Sequence, residues 1–316
     1  MQNISIYIHV PFCDHKCIYC DFYSIITDDN IENFITSIKI EIESYADQLI
    51  NQNIISIFFG GGTPSLLKPD QINKILTFLK EKYNVDPKAE ITLETNPGTV
   101  DFEKLSLFRK IGINRISIGV QSFNDDDLKF LTRIHDRKIA VDTIQNAHKA
   151  GFKNINIDLI FSIPKQSKET WKENLELALT LPIQHISAYS LILERGTILN
   201  KMVMDGKIKL MDEDFDASQY EYTIDHLTSN GFEQYEVSNF CIPGYECSHN
   251  LSFWEHNNYI GFGPSAHSFI DDKRWWNLSS LKMYIEAVKH NGKAVRGYEA
   301  LTQHELEEEF IMLALR

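Results

Sequence analysis

The sequence has little basic charge for its size. In a chain of 316 residues, 31 Lys and Arg residues stand against 44 Asp and Glu residues, which gives a formal net charge of −13. Domains that bind nucleic acid or anionic membranes usually carry a basic excess or a basic patch. The charge balance therefore argues against nucleic acid as a partner, and an anionic ligand must meet local basic residues.

Long apolar runs and an N-terminal secretion signal are also missing. No apolar stretch approaches the roughly 20 residues that a membrane-spanning helix needs, so we expect no transmembrane segment. The first residues, Met1-Gln-Asn-Ile-Ser-Ile-Tyr7, show neither the basic region nor the apolar core of a signal peptide. We therefore expect a cytoplasmic protein, in a reducing compartment where thiolates survive.

Cysteine is scarce but concentrated. Three of the 5 cysteines form a C-x3-C-x2-C run at Cys13, Cys17 and Cys20. An odd count in a reducing compartment argues against a disulfide with one thiol left over. A closed zinc site takes four ligands, so zinc would need His9 or His15 as its fourth. A cubane iron–sulfur cluster usually takes four cysteines, so three would leave one iron open to a substrate or cofactor.

Short β-rich runs alternate with longer helical patterns over the first 190 residues. This alternation predicts an α/β fold in which crossover helices join parallel strands. We predict strands over residues 4–8, 54–59, 91–94, 115–120, 154–160 and 185–189. We predict helices over residues 31–50, 69–82, 101–109, 137–150 and 168–179. Six strands suggest a partial (β/α)6 barrel of the TIM type rather than a doubly wound sheet.

After about residue 191 the alternation lapses, and the composition shifts toward aromatics, Gly and His. We interpret residues 1–190 as the barrel and 191–300 as a β-rich extension, with a helix over 213–229, that closes the open side and covers the barrel mouth. A helical pattern over residues 305–316 shows no Gly, Asn or Pro stop signal. We therefore expect residues 301–316 to begin a small C-terminal helical or winged domain that the sequence does not complete.

Active sites of such barrels lie at the carboxyl ends of the strands. In this sequence those ends carry a glycine run, Gly60-Gly-Gly62, which would let a ligand approach the backbone closely, or simply form a turn. Glu94 can hold a ligand's ammonium or ribose hydroxyls, or can be neutralised by a neighbouring base. Asp158 interrupts an apolar strand, where it is costly without a partner. Gln121 can simply cap the loop after the fourth strand, and Arg133 can be a solvated surface charge.

Two histidines stand out in the second half of the chain, His249 and His267. Heme iron accepts His or Cys thiolate as an axial ligand, so Cys247-Ser-His249 can ligate a macrocycle packed by Phe253 and Trp254. The alternative is a hydrogen-bonded core histidine. Trp275 and Trp276 can stack on a flat ligand or seal the edge of a core.

The ordered set of motifs resembles the radical S-adenosylmethionine (SAM) superfamily. The set consists of the cysteine run, Gly60-Gly-Gly-Thr-Pro64, Glu94-Thr-Asn-Pro97, Gly119-Val-Gln-Ser-Phe123 and residues 158–164. Within the superfamily the chain resembles the anaerobic, oxygen-independent coproporphyrinogen III oxidase-like family, and most of all its HemW-type heme-chaperone subgroup.

The resemblance implies a [4Fe-4S] cluster on Cys13, Cys17 and Cys20, with the amino and carboxylate groups of SAM on the fourth iron. It also implies heme as a further cofactor, with His249 and His267 as candidate heme residues. The residues implied to flank the cluster or to contact SAM are Tyr7, Tyr19, Gly61, Gly62, Thr63, Glu94, Gln121, Arg133, Asp158 and Ser190.

Two functions follow from the resemblance: a chaperone that binds heme and passes it to an acceptor protein, and an oxidase that cleaves SAM and decarboxylates coproporphyrinogen III in porphyrin biosynthesis. The motif expected of the oxidase is similar to C-x3-C-x2-C-x-C and follows an N-terminal extension, whereas this chain has Phe22 at the position of the last cysteine. The motif expected of the chaperone group is similar to H-N-x-x-Y-W, and the corresponding segment of this chain is His249-Asn-Leu-Ser-Phe-Trp254. We therefore expect the chaperone, with heme, an unidentified acceptor and, if SAM is cleaved, an electron donor such as flavodoxin or ferredoxin as partners.

Overall fold

The computed structural model describes residues 2–27 and 29–315. Residue 1, which begins the predicted segment 1–190, and residue 316, which ends the predicted segment 301–316, therefore lie outside the described residues. The predicted six parallel strands are confirmed, and each pairs in parallel with the next. They are β1 (Gln2–Val10), β2 (Gln52–Gly61), β3 (Asn84–Thr95), β4 (Arg115–Gln121), β5 (Ile155–Phe161) and β6 (His185–Ser190).

Crossover helices join these strands, as the alternation predicts. They are α1 (Ile31–Ser44), α2 (Ala46–Leu49), α3 (Pro69–Lys82), α4 (Phe102–Lys110), α5 (Asp125–Phe130), α6 (Arg137–Lys149) and α7 (Lys168–Leu179), with a 3-10 turn at Pro64–Leu66. The predicted single helix over residues 31–50 is wrong at Tyr45, which separates α1 from α2. The Tyr45 ring stacks on Trp275 and meets Phe262 edge-on, both at 6.0 Å, so tertiary packing fixes the break.

The helix α5 escaped the sequence prediction although its start signal is present. The side chain of Asn124 accepts hydrogen bonds from the N–H groups of Asp126 and Asp127, which satisfies two backbone donors that have no partner inside the helix. Three aspartates in the first turn, Asp125, Asp126 and Asp127, further favour a helix N-terminus. Six residues are too few to produce an amphipathic period.

The two faces of each central strand differ in chemistry. In β1, Ile4, Ile6 and Ile8 belong to the hydrophobic core that includes the helix residues, while Ser5 and His9 are also buried. Since successive side chains of a strand point to opposite faces, these polar residues point away from the crossover helices. The polar side of β1 meets a helix from the second half of the chain: Ser5 Oγ donates to Ser252 Oγ at 2.7 Å. The interior of the curved sheet is therefore polar, and this places ionisable groups there.

The second half of the chain adds strands at both edges of the parallel sheet. Its helices are α8 (Ile198–Met204), α9 (Glu213–Ser229), α10 (Ser248–Trp254), α11 (Leu281–Asn291) and α12 (Gln303–Ala314), and its strands are β7 (Glu233–Glu236), β8 (Asn239–Cys241), β9 (Tyr259–Phe262), β10 (His267–Ile270), β11 (Lys273–Asn277) and β12 (Val295–Ala300). Strand β8 pairs antiparallel with β6, and β9 pairs parallel with β1. The resulting order is β12-β11-β10-β9-β1-β2-β3-β4-β5-β6-β8-β7.

One hydrophobic core contains side chains from both halves of the chain, among them Ile6, Phe240 and Phe262. The β-rich extension thus lengthens the sheet at its two edges, and its separation from the barrel as residues 191–300 remains a prediction, as does a further domain beginning at residue 301. Within residues 2–27 and 29–315, no helix has the length and apolar character to cross a membrane.

Candidate functional site

The cysteine run forms a loop directly after β1, at the carboxyl end of the sheet. Cys13, Cys17 and Cys20 are all free and partly exposed. Hydrogen bonds fold the loop back on itself, from Cys13 N–H to the Ile25 carbonyl at 2.9 Å and from Cys20 N–H to the Cys17 carbonyl at 3.2 Å. Three accessible thiols on one pinned loop are a donor set that suits a sulfur-bound cluster.

The glycine run of β2 holds this loop in place. Gly62 N–H donates to the Val10 carbonyl at 2.8 Å, and the next N–H, that of Thr63, donates to the Phe12 carbonyl at 2.7 Å. A Cβ on Gly62 would lie 2.5 Å from the Phe12 carbonyl oxygen, and one on Gly61, whose φ is +109°, would lie 2.7 Å from the His9 ring. On these two faces the protein's own chain fills the space, and contact of these glycines with a ligand stays a prediction.

Arg133 connects the cysteine loop to two neighbouring strand ends. Its Nη2 donates to Asn96 Oδ1 at 2.7 Å and to the Gly119 carbonyl at 2.8 Å, and its Nη1 donates to Cys17 Sγ at 3.6 Å. Asn96 in turn donates to Thr63 Oγ1, which lies 3.4 Å from Cys13 Sγ. Arg133 is thus not a solvated surface charge, and the structure brings it together with Thr63 and the cysteines.

Tyr19 belongs to the same group of side chains. Burial raises its pKa, while the neighbouring Arg133 guanidinium acts in the opposite direction. The Arg133 Nε is buried and makes no hydrogen bond with a described residue. A buried donor in a guanidinium next to the Cys17 sulfur is costly unless something accepts from it, so this corner of the rim fits an anionic or electron-rich ligand.

Glu94 and Asp158 project from neighbouring parts of the rim. Glu94 accepts from Gly61 N–H at 3.2 Å, and burial together with the charge of Asp158 raises its pKa to about 8. Burial also raises the pKa of Asp158, against hydrogen bonds from Asn156 at 2.8 Å and from Ser117 at 3.4 Å. The raised pKa favours the protonated form of Glu94, which can donate as well as accept a hydrogen bond.

Gln121 lies beside Arg133 in an unusual backbone conformation. Its φ is +68°, at a shift of register between β4 and β5, where a residue other than glycine is uncommon. A Cβ on Gly119 would lie 3.0 Å from Gln121 Nε2 and from Asn96 Oδ1, so the Gln121 amide and Asn96 meet over Gly119. Gln121 is thus more than a loop cap. Ser190 is placed differently, because its hydroxyl donates to Asp216 of α9 at 2.6 Å.

Tyr7 and His9 form a chain of hydrogen bonds on the polar face of β1. The Tyr7 hydroxyl lies 3.1 Å from His9 Nδ1, and His9 Nε2 lies 2.9 Å from the Tyr23 carbonyl oxygen. Burial lowers the pKa of His9 to about 4. Because both ring nitrogens already have partners, His9 is not free to complete a zinc site. No His, Cys, Asp and Glu side chains in residues 2–27 and 29–315 form a group of three or more that could hold one metal ion.

The two candidate heme histidines lie apart. His249 is 2% exposed, its Nδ1 lies 2.9 Å from Ser56 Oγ, and its ring stacks on Phe58 at 4.9 Å. Burial lowers the pKa of His249 to about 3. The ring is enclosed in the sheet interior, and its Nε2 is buried without a hydrogen-bond partner among the described residues. The role of His249 as a heme ligand stays a prediction. His267 is exposed at the start of β10 and stacks on Trp276 at 6.0 Å.

Sequence analysis missed two polar residues of the sheet interior. Asn96 links Arg133 to Thr63, and its position next to Pro97 at a strand end was the available signal. Arg115 is 2% exposed and lies 3.9 Å from Glu90. A charged residue that opens an otherwise apolar strand was the signal there, since a buried charge requires a partner.

Comparisons with known proteins identify the family of this chain. Residues 7–178 match the model of the radical SAM superfamily. The chain belongs to the radical SAM superfamily, whose members use a [4Fe-4S] cluster and SAM.

Similarity to curated proteins narrows the assignment. The chain is 37% identical to the heme chaperone HemW of Lactococcus lactis, covering 99% of this chain and 81% of that protein. It is 34% identical to HemW of Bacillus subtilis, covering 99% and 83%. Within the superfamily, the chain belongs to the HemW heme-chaperone family.

A solved structure supports the same fold. Coproporphyrinogen III oxidase (HemN) from Escherichia coli, a radical SAM enzyme, superposes with a TM-score of 0.87 at 26% identity, covering 99% of this chain and 75% of that one. Streptococcus suis SuiB superposes with a TM-score of 0.51 at 17% identity, covering 83% and 50%, which shows the fold alone.

Proposed function

We propose that the protein is a heme chaperone, which binds heme and transfers it to an acceptor protein. The observation that carries the proposal is the similarity to HemW heme chaperones, at 34–37% identity over 99% of this chain. We also propose that it acts in the cytoplasm, with heme and an acceptor protein as its partners. An electron donor such as flavodoxin or ferredoxin is required only if SAM is cleaved.

We propose Cys13, Cys17 and Cys20 as the cluster ligands. Their thiols are free, partly exposed and carried by one loop. Backbone hydrogen bonds from Cys13 and Cys20 hold this loop to itself, and one from Thr63 N–H to the Phe12 carbonyl holds it to the segment after β2. When bound, the cluster supplies an electron and one open iron that SAM can chelate. The same loop has Phe22, 63% exposed, where the coproporphyrinogen oxidases have a further cysteine.

The rim residues have the chemistry to hold the remainder of SAM. The Arg133 guanidinium and the Gln121 amide supply donors, and the protonated Glu94 and the Asp158 carboxyl suit ribose hydroxyls or an amine. We propose that Tyr7 of β1 and Tyr19 within the loop flank the cluster and SAM. Gly61 and Gly62 use their N–H groups inside the chain, to Glu94 and to the Val10 carbonyl, so their contribution to SAM is restricted to carbonyl oxygens and to shape.

The second candidate function is oxygen-independent coproporphyrinogen III oxidation. It is favoured by the superposition on the Escherichia coli enzyme over 99% of this chain. Against it stand the higher identity to the chaperones and the exposed Phe22 in place of a cysteine.

A paired assay separates the two functions. Anaerobically reconstituted protein is mixed with hemin and then with an apo heme protein, and in parallel with coproporphyrinogen III, SAM and a reductant. The chaperone binds hemin with defined stoichiometry, passes it on and leaves coproporphyrinogen unconverted. Robust formation of protoporphyrinogen, without hemin binding, would overturn the chaperone assignment.

A further inference from the structure

A cavity of about 690 Å³ lies beside the cysteine loop and is separate from the rim group around Arg133. Its volume falls within the range of about 300 to 1,000 Å³ that is typical of small-molecule sites. Ile18, which lies between two of the cluster cysteines, forms part of its wall. Thr132 and Lys165, which follow the carboxyl ends of β4 and β5, form another part. Met202 of α8 and residues 207–212, which lead into α9, also line the cavity.

Partly buried apolar side chains form most of the cavity surface. Flat macrocycles bind between such side chains because their faces are hydrophobic. Two of the side chains carry a thioether sulfur, a known axial ligand of heme iron. The six apolar side chains are Ile18, Phe130, Met202, Ile208, Leu210 and Met211.

Three exposed lysines surround the apolar surface. Lys165 and Lys209 make no ion pair with any other residue in 2–27 and 29–315, while Lys207 pairs with Asp205 at 3.1 Å. The acid that also lines the cavity, Asp212, accepts the N–H of Phe215 at 2.8 Å as the N-cap of α9. In a chain of net charge −13, two unpaired lysines at the edge of an apolar cavity are a local reversal of charge.

The walls of the cavity are held in place from both sides. Ile18 N–H donates to Thr132 Oγ1 at 3.2 Å, and Leu199 N–H donates to the Ile18 carbonyl at 2.9 Å, so the cysteine loop is joined to α8. Thr132 and Lys165 have φ values of +57° and +73°. Such values cost free energy in residues other than glycine and cluster at functional sites.

We propose that this cavity is the heme site, with the macrocycle against the apolar wall and the two propionates at Lys165 and Lys209. The proposal rests on the proposed function, because it names where the heme of that function binds. Charge and shape favour heme: an apolar disc with two carboxylates at one edge matches an apolar cavity with two unpaired ammonium groups at its edge. Met202 and Met211 supply the available iron ligands, since neither His249 nor His267 lines the cavity.

The test compares hemin with its dimethyl ester, which lacks the two propionate charges. Lys165→Glu/Lys209→Glu should lower hemin affinity about tenfold or more, as expected when charge-assisted hydrogen bonds are lost, and should leave binding of the ester unchanged. The matched control is Lys149→Glu/Lys153→Glu, which makes the same charge change at the opposite end of the sheet, before β5. It should bind both ligands as the wild type does.

A second variant tests the apolar wall. Ile208→Asp places a carboxylate where the macrocycle lies, so it should weaken binding of hemin and of the ester alike. Melting temperature and iron content of the cluster are measured for every variant, and only variants that match the wild type in both are compared for heme binding. If the double lysine variant and the Ile208 variant both bind hemin with wild-type affinity, the proposed site is wrong. That result would leave the proposed chaperone function unaffected.

Two other outcomes also decide the question. Failure of the wild-type protein to bind hemin contradicts the chaperone function and removes the occupant of the site with it. Tighter binding of the tetracarboxylate coproporphyrin III than of hemin, weakened by the same lysine substitutions, assigns the cavity to a different porphyrin and overturns heme as its ligand.

Discussion

Arg133 Nη1 donates a hydrogen bond to Cys17 Sγ at 3.6 Å, although the two residues lie 116 positions apart in the chain. The same guanidinium donates to Asn96 and to the Gly119 carbonyl. One partly buried side chain therefore fixes the cysteine loop relative to the ends of β3 and β4. The position of the cluster is set by a long-range contact as well as by the spacing of the cysteines.

Substitution of Arg133 tests this role. In Arg133→Met, Asn96 Oδ1 and the Gly119 carbonyl lose their donor, at a cost of about 1–3 kcal/mol for each acceptor left unpaired. We expect a lower melting temperature and a lower iron content after anaerobic reconstitution. Arg137→Met, at an exposed arginine at the start of α6, is the control and should behave as wild type. Wild-type iron content and melting temperature in Arg133→Met would contradict the role.

Single cysteine substitutions test the ligand set. Cys13→Ala, Cys17→Ala and Cys20→Ala should each abolish assembly of the [4Fe-4S] cluster, because a cubane needs all three thiolates here. Iron and sulfide content with the visible absorption spectrum report the cluster. Cys241→Ala removes a buried cysteine outside the loop and should retain the cluster. A complete cubane in any of the three loop variants disproves the assignment.

Gly62, which directly follows β2 and faces the loop, offers an independent test. Gly62→Ala places a Cβ 2.5 Å from the Phe12 carbonyl oxygen, which is backbone and cannot rotate away. The loop must shift, so we expect iron content to fall although all cysteines are present. Gly231→Ala is the control, because a Cβ there meets no atom within 4 Å and only the positive φ of +85° costs free energy, roughly 1–2 kcal/mol. Equal iron content in the two variants would refute the packing argument.

The strands and their parallel order were predictable because each element is local and periodic. The apolar run at residues 54–59 predicts a strand covered on both faces, and it lies within β2. The carboxyl ends of parallel strands meet at one edge, so the placing of Glu94 and Gln121 on one rim also followed from the sequence. Arg133 follows α5, and only its contacts with Asn96 and Gly119 bring it to the rim.

The polar interior could not be predicted, because its partners are distant in sequence. Ser5 meets Ser252 across 247 positions, and Ser56 meets His249 across 193. A histidine among aromatics looks the same in sequence whether it binds iron or fills an interior, and only the fold distinguishes the two. The pairing of β9 with β1 is a similar case, since no local signal records which edge a short strand joins.

A buried glutamate joins the first half of the chain to the second. Glu41 of α1 is 0% exposed and accepts from Tyr284 at 2.6 Å, Asn277 at 2.7 Å and Gly263 N–H at 2.9 Å. Burial raises its pKa from 4.5 to about 7 in spite of these bonds. Asn277 Oδ1 is buried without a hydrogen-bond partner among the described residues, so an acceptor for a protonated Glu41 lies nearby.

This raised pKa predicts how stability changes with pH. Between pH 4.5 and about 7 the folded protein retains a proton on Glu41 that the unfolded chain releases, so stability falls as pH rises through this range. The full effect is at most roughly 3 kcal/mol. Glu41→Gln mimics the protonated form, so its melting temperature relative to wild type should rise from pH 5 to pH 8. Glu81→Gln, at an exposed residue of α3, should show a constant difference. A constant difference for Glu41→Gln as well would show that Glu41 is ionised throughout.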